Sequence, residues 1–453
     1  MPSRNPSSPP VQRVAVLADS DTRWKWGALT ARRIAPRARI DGLLLRGRAT
    51  PTPRQLAEVG VEVDALHEVT GAEFVCSAGK GEYDAVVLAC VGGAVQAMLH
   101  GLARAAEGST GARRPVTVTG YVGIVYEKLA DGLLLRHGAD LVLANSRHDA
   151  ERFRATYKGA GADPSAVVEC ALPFLAGTPG DTPHGPAPAP AEPGPFTVTF
   201  AVQPSVPDRR GDRAYLLRRA AEHARAHPER EVLVKLRSKP GEHTTHIEEQ
   251  PYQRLAARLP GGLPDNCRLV YGHMGEVLER TDLLVTVSST AALESLHRSI
   301  PTAVLTDLGV REALGNHYFL GSGCLASWDE LDAGHLPKAD PEWIARQGVR
   351  ADGTFGTAFD DARARLADLV AAETLPPPSP YYTPTTAPGY LPGILARYGF
   401  RPDGSPQPGA APDAEDTSGV RAALRRALRE AARGAYRHGV QRVAPVVRRM
   451  GGL

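Results

Sequence analysis

Three hydroxyl residues in a row, Ser288, Ser289 and Thr290, stand between an apolar β-branched run, Leu283 to Val287, and a segment with helical patterning. A strand that stops at small polar residues and turns at once into a helix aims free backbone N–H groups and hydroxyls at one point, where the helix dipole is also positive. The chemistry suited to such a point is phosphate binding. An ordinary Ser/Thr helix cap has the same pattern, so the surrounding residues have to decide. Glu294 lies four residues after Thr290, one turn inside the helix, where it can complement the dipole or accept hydrogen bonds from a ligand. Thr302 to Leu305 follows Pro301 as a second apolar strand. The whole is a β-α-β unit of a parallel sheet, and ligands of such sheets gather at the carboxyl ends of the strands.

Lys235, Arg237, Lys239 and His243 fall within nine positions. Alternation along an extended strand places Lys235, Arg237 and Lys239 on one face. There they can neutralise phosphate charge while Ser289 and Thr290 donate hydrogen bonds; the alternative is a basic strand edge that blocks aggregation. Gln203 and Pro204 end another strand of the same half, and Tyr271 to Met274 follows the strand Cys267–Val270, which would bring backbone amides or a ring near a base.

Carboxylates for proton transfer occur in the first half. The strand VAVLA runs into Asp19, Ser20 and Asp21, followed by Trp24, Lys25, Trp26 and Gly27. Asp19 or Asp21 can serve as a general base at a strand end, and Trp24 and Trp26 offer flat apolar faces to a sugar ring. The competing reading makes one aspartate a helix cap and leaves the other solvated. Glu127 is a second candidate base, with Tyr121 and Tyr126 nearby and Gly120 and Gly123 marking a tight turn or a close backbone approach. Arg136 and His137 read as surface residues of a helix. His243 and His246 are three apart without a third ligand, so no metal site is expected.

These residues need a frame. Residues 11–175 alternate strand and helix patterns, among them Val11–Ala18, Ile40–Leu45, Ala85–Ala89, Pro115–Thr119 and Ala139–Ala144 as strands. Residues 176–195 are too rich in Pro and Gly for either element and read as a linker. A second alternation fills 196–375, with strands at Phe196–Val202, Glu231–Leu236, Cys267–Val270, Leu283–Val287 and Thr302–Leu305. The fold class is therefore α/β, two Rossmann-like domains facing a cleft. Residues 376–417 form a Pro-rich, low-complexity stretch, and 418–450 a basic amphipathic helical tail. Residues 419–453 hold nine Arg and one Glu, which fits either a solvated tail or a helix lying on an anionic membrane surface.

Bulk properties exclude several classes. Net charge is only +3 over 453 residues, so no global field points to nucleic acid. Five scattered cysteines without a C-x-x-C pair read as buried thiols of a reducing compartment. Without a signal-peptide h-region or a long apolar run, the expected location is the cytoplasm, and the membrane-lying alternative for 418–450 would add a peripheral contact at the inner membrane face. The first strand leads into ADSDTRWKWG and not into G-x-G-x-x-G, which disfavours a dinucleotide oxidoreductase.

Three segments, AVQPSVPD from Ala201, VLVKLRSKPGEHTTHIEEQPY from Val232 and VSSTAALESLHRSIPTAVL from Val287, resemble glycosyltransferases of the GT-B class. Within that class the chain is most similar to an uncharacterised actinobacterial family, and more distantly to capsule-polysaccharide transferases and bacterial sialyltransferases that use CMP-activated sugars. The resemblance covers roughly residues 11–330. It implies that the second half holds a nucleotide-sugar co-substrate through Gln203, Lys235, Arg237, Lys239, His243, Tyr271, Ser288, Ser289, Thr290 and Glu294. The first half would then hold a glycan or small-molecule acceptor through Trp24, Trp26 and Tyr121, with Asp19, Asp21 or Glu127 as base. Lys239 and Pro240 stand where those sialyltransferases more often carry His-Pro, so the nucleotide stays open. The implied activity is an inverting, metal-independent glycosyl transfer without a cofactor. A nucleotide-sugar epimerase and a non-catalytic nucleotide-sugar-binding protein are the alternatives.

Overall fold

Runs such as VAVLA from Val14 and AVVLA from Ala85 in the N-terminal half are apolar throughout, the composition of parallel strands buried on both sides. In a computed structural model the strands of this half form a seven-stranded sheet in the order β3-β2-β1-β4-β5-β6-β7. The strands are β1 (Arg13–Ala18), β2 (Arg39–Leu45), β3 (Ala65–Val69), β4 (Ala85–Ala89), β5 (Val116–Gly120), β6 (Leu141–Ala144) and β7 (Val167–Glu169). The structure describes residues 11–408 except 48, 109–112, 125–128, 176–193, 240–241, 243–247 and 350–353. Most of the expected linker, the tail 418–450, Glu127, Tyr126, His243 and His246 lie outside the described residues.

The second half repeats the scheme with six strands: β8 (Thr197–Ala201), β9 (Glu231–Lys235), β10 (Cys267–Val270), β11 (Leu283–Thr286), β12 (Thr302–Leu305) and β13 (Leu325–Ala326). Their order is β10-β9-β8-β11-β12-β13. All pairings in both sheets are parallel. In each domain the order reverses beside the first strand, so the strand ends of β1 and β8 lie at switch points, where such sheets bind ligands.

The first helix, Asp21–Ile34, follows β1 directly. Its Trp24 and Trp26 belong to a core cluster that also takes in Leu293 and Ala201 from the second half and Phe355, Phe359 and Leu366 from the later chain. Apolar burial of this kind is non-directional and scales with area, so one contiguous cluster ties the two domains together.

Residues 354–408 correct the expected boundaries. The helix Asp360–Ala371 packs on β5, β6 and β7, not on the second sheet. The Pro-rich stretch after it is also ordered against the N-terminal domain. Arg114 Nε donates to the carbonyl of Pro376 at 2.7 Å, and the Tyr382 carbonyl lies 2.9 Å from His100 Nε2. Leu391, Leu395 and Phe400 are buried in the N-terminal core. A Cβ on Gly101 would lie 2.9 Å from the Phe400 ring, so glycine there lets the ring sit on the helix Gly92–Gly108. Proline prevents the stretch from forming its own helix or strand but does not prevent apolar anchors from docking. Four cysteines are buried, while Cys76 is exposed. Among the described residues, no helix is long and apolar enough to cross a membrane.

Candidate active site between the domains

A cavity of about 640 Å³ opens between the carboxyl ends of the two sheets. Its C-terminal wall carries Gln203, Lys235, Arg237, Ser288, Ser289, Thr290 and Glu294, and its N-terminal wall Asp21, Lys25 and Glu58. The residues of the hydroxyl turn have different duties. The buried Ser288 donates its hydroxyl to the Leu314 carbonyl at 2.6 Å and its N–H to Gln203 Oε1 at 3.0 Å, which fixes the turn and leaves that hydroxyl committed. Ser289 N–H donates to Thr286 Oγ1, and Ser289 Oγ accepts from Ala291 N–H, each at 3.2 Å. Thr290 makes no side-chain cap hydrogen bond to the helix Ala291–His297 that follows. Its hydroxyl faces the opposite domain: a Cβ built on Gly123 would lie 2.6 Å from Thr290 Oγ1.

The cationic row is shorter than strand alternation implies. Strand β9 ends at Lys235, so Arg237 and Lys239 belong to the loop beyond it. Lys235 and Arg237 line the cavity; Lys239 does not, and its Nζ lies 5.8 Å from the centroid of Tyr271. Tyr271 is also outside the lining, its hydroxyl accepting from Gln253 Nε2 at 2.9 Å. Both residues drop out of the candidate donor site: Lys239 because the period of two holds only while the backbone is extended, and Tyr271 because its hydroxyl is held by Gln253. Lys235 is buried beside Glu58, Arg237, Glu294 and Lys25, and burial pulls its ammonium down to about 8. Nζ donates to the Leu236 carbonyl at 2.7 Å.

The two candidate aspartates part company. Asp19 accepts from Val91 N–H at 2.9 Å and pairs with Arg23 at 3.0 Å, and it is not among the lining residues. It therefore fastens β1 to the residues after β4. Asp21, the first residue of its helix, lines the cavity and receives Arg237 Nη2 at 2.6 Å. Burial raises its carboxyl, but the Arg237 guanidinium and Thr22 more than offset this and hold it below the ordinary carboxylate range.

The aromatic acceptor platform is overturned. Trp24 and Trp26 are each 1% exposed and offer no face to a ligand. Both point under the helix onto the sheet, where Gly42 and Gly120 leave room for the rings, and Trp26 Nε1 donates to Asn145 Oδ1 at 3.3 Å. Tyr121 is covered by the Arg136 guanidinium, 4.2 Å from its ring centroid, and does not line the cavity. Arg136 itself, expected on the surface, is buried and donates to the carbonyls of Gly120 and Cys90.

Lys25 and Glu58 are among the lining residues that sequence reasoning did not single out. Lys25 pairs with Glu294 at 3.4 Å and lies over the Phe174 ring at 4.5 Å. Glu58 Oε1 accepts from Gly272 N–H at 2.7 Å. His273, held below its usual value first by burial and then by Lys25, stands at the N-cap position of the short helix Met274–Leu278 and makes no side-chain cap hydrogen bond to it. Lys25 was findable, because it lies four residues after Asp21 on the same helical face. His273 belongs to the run Tyr271–Met274 expected near a base, and it lines the cavity together with Gly272 and Met274.

His223, His227 and Asp332 bring ligand atoms within 4.8 Å of one another, but none of them lines the cavity. Arg219 donates to Asp332 at 2.9 Å, His223 Nδ1 lies 2.5 Å from Asp332 and Arg230 lies 3.3 Å from His223 Nε2. The cluster is thus a hydrogen-bonded tie between the helices Arg210–Ala226 and Trp328–Asp332.

Two parallel Rossmann-like sheets that meet across a ligand-sized cleft define a protein of GT-B type. The chain belongs to the family described as "Putative glycosyltransferase (DUF6716)", which it matches over residues 14–369, and its class is glycosyltransferase. Among solved structures it is similar to UDP-N-acetylglucosamine 2-epimerase from Rickettsia bellii, with TM-score 0.49, 11% identity and coverage of 80% of this chain and 94% of that one. It is similar as well to a UDP-glucosyltransferase from Polygonum tinctorium, with TM-score 0.47, 11% identity and coverage of 81% and 99%. The O-GlcNAc transferase of Thermobaculum terrenum gives TM-score 0.41, 14% identity and coverage of 81% and 69%. No curated protein matches the chain.

Proposed function

We propose that the cleft holds a nucleotide-activated sugar against the C-terminal domain and transfers the sugar, with inversion and without a metal, to a hydroxyl of a glycan or small-molecule acceptor. The observation that carries this reading is the pair of facing walls: Thr290, Lys235 and Arg237 on one side, Asp21 on the other. The turn at Ser289 and Thr290 donates to the donor's phosphate, and Lys235 and Arg237 neutralise its charge. Glu294 accepts from ribose or sugar hydroxyls. Asp21 takes the proton of the acceptor hydroxyl as that oxygen bonds to the anomeric carbon. The bond from the anomeric carbon to phosphate oxygen breaks, and its electron pair leaves on the phosphate, where the cations and the hydroxyls of Ser289 and Thr290 stabilise it.

Calorimetric titration with CMP, UDP, GDP and TDP tests the reading. One of them should bind, and Ser289→Ala with Thr290→Ala should weaken it, whereas Asp21→Ala should abolish transfer and keep nucleotide binding. Transfer should survive a chelator. Binding of none of the four overturns the proposal, and turnover of a nucleotide sugar without acceptor transfers it to the epimerase reading.

A further inference from the structure

The two cavity residues best placed to hold a donor are already bonded across the cleft. Arg237 approaches Asp21 with its fork, Nη2 to Oδ1 at 2.6 Å and Nε to Oδ2 at 3.3 Å, and Nη2 also donates to Thr22 Oγ1. Glu294 Oε2 receives Lys25 Nζ at 3.4 Å. The prongs are opposite in sense: a cation of the C-terminal domain meets an anion of the N-terminal domain, and then the reverse. Asp21 and Lys25 are one turn apart on the first helix, so a single helical face supplies both partners.

We infer that Asp21–Arg237 and Lys25–Glu294 form a clasp that a donor must open, so that a nucleotide's phosphate takes Arg237 and thereby releases Asp21 to serve as base. This rests on the proposed reading of the cleft. A guanidinium presents one fork of parallel N–H groups, and a carboxylate and a phosphate claim the same fork. The two cannot hold it together. While paired, Asp21 is a poor base, because the guanidinium favours its charged form. Once Arg237 turns to phosphate, burial of Asp21 acts against its charge with less opposition, and the carboxylate gains both freedom and basicity. Arg237 thus binds the donor and couples that binding to the state of the base, and the donor binds before the acceptor can react.

The test uses the full chain and whichever of CMP, UDP, GDP or TDP binds it. Asp21→Asn removes the competitor for the fork while keeping the side chain's shape, so nucleotide should bind about three- to tenfold more tightly although transfer is lost. Asp21→Ala, a second variant at this helix end, should tighten binding in the same direction; circular dichroism confirms that each is folded. Arg237→Ala should weaken binding, and in that background Asp21→Asn should give no tightening. Unchanged or weaker binding to both Asp21 variants overturns the clasp while leaving the cleft reading intact. Equal tightening with and without Arg237 also overturns it, since mere charge repulsion would then suffice. Failure of every nucleotide to bind the unaltered chain overturns the cleft reading and the clasp with it.

Discussion

Gln203 Oε1 accepts a hydrogen bond from the Ser288 backbone N–H at 3.0 Å and lies 3.3 Å from the Ser288 hydroxyl, whose proton goes to the Leu314 carbonyl. The side chain stands two residues past the end of β8, and Ser288 two residues past the end of β11, the strand paired with β8. One amide oxygen therefore sets the turn against the sheet. Gln203→Leu should leave the buried Ser288 N–H without its partner and cost about 1–2 kcal/mol, read by chemical denaturation. Thr290→Ala, by contrast, should weaken nucleotide binding at an unchanged midpoint, because its hydroxyl makes no cap hydrogen bond to the helix.

The approach of Gly123 to Thr290 makes a second prediction. Alanine at 123 would place a methyl carbon 2.6 Å from Thr290 Oγ1, well inside contact distance. Gly123→Ala should therefore shift one wall of the cleft against the other and lower nucleotide affinity by about tenfold, on the order of 1.4 kcal/mol. In a Thr290→Ala background the methyl has space and the added loss should vanish. Calorimetric titration of the two single variants and the double variant decides it; additive losses would mean that the two residues do not meet.

Five strands of each sheet were legible because parallel buried strands are written as short apolar runs, and the run Leu283 to Val287 before three hydroxyls needed no tertiary information to be read. The hydroxyl turn was legible for the same reason: it is local. The edge strands Ala65–Val69, Val167–Glu169 and Leu325–Ala326 are too short or too polar to stand out. What depends on three-dimensional direction was not. Trp24 and Trp26 sit beside two aspartates in sequence, yet helical geometry sends the rings inward and leaves Asp21 and Lys25 at the cleft. Lys239 was placed by extending a strand that stops at Lys235. The Pro-rich stretch was read by composition, which says what it cannot form by itself and nothing about what it docks on.

That docking is a stability claim. Phe400 is fully buried against Gly71 and Gly101, with Leu391 and Leu395 in the same core. Phe400→Ala should destabilise the chain by about 3 kcal/mol, through lost transfer energy and a cavity that the glycine-faced helix cannot fill. Denaturant titration measures it. A cost below about 1 kcal/mol would show that residues 376–408 add little to the N-terminal domain.

Lys235 ties the site to pH. Burial holds its ammonium at about 8 in the folded chain, against 10.5 when free in water. Below about 8 both folded and unfolded states carry the proton, and folding bears the full cost of burying the charge. Between about 8 and 10.5 the unfolded state binds more protons, so this group's contribution to stability rises with pH and its penalty fades. The shift amounts to at most about 3 kcal/mol, of which the bond to the Leu236 carbonyl and stem packing return a part. Lys235→Met should consequently stabilise the protein by about 1–2 kcal/mol at pH 7, an advantage that shrinks toward pH 10, while nucleotide binding weakens. Denaturation at pH 7 and pH 10 beside calorimetric titration checks both halves. The proposed reading of the cleft uses this charge, buried at such a cost beside Glu58, Glu294 and Arg237 at the end of a strand; a variant that loses stability and keeps its affinity would assign Lys235 to the scaffold instead.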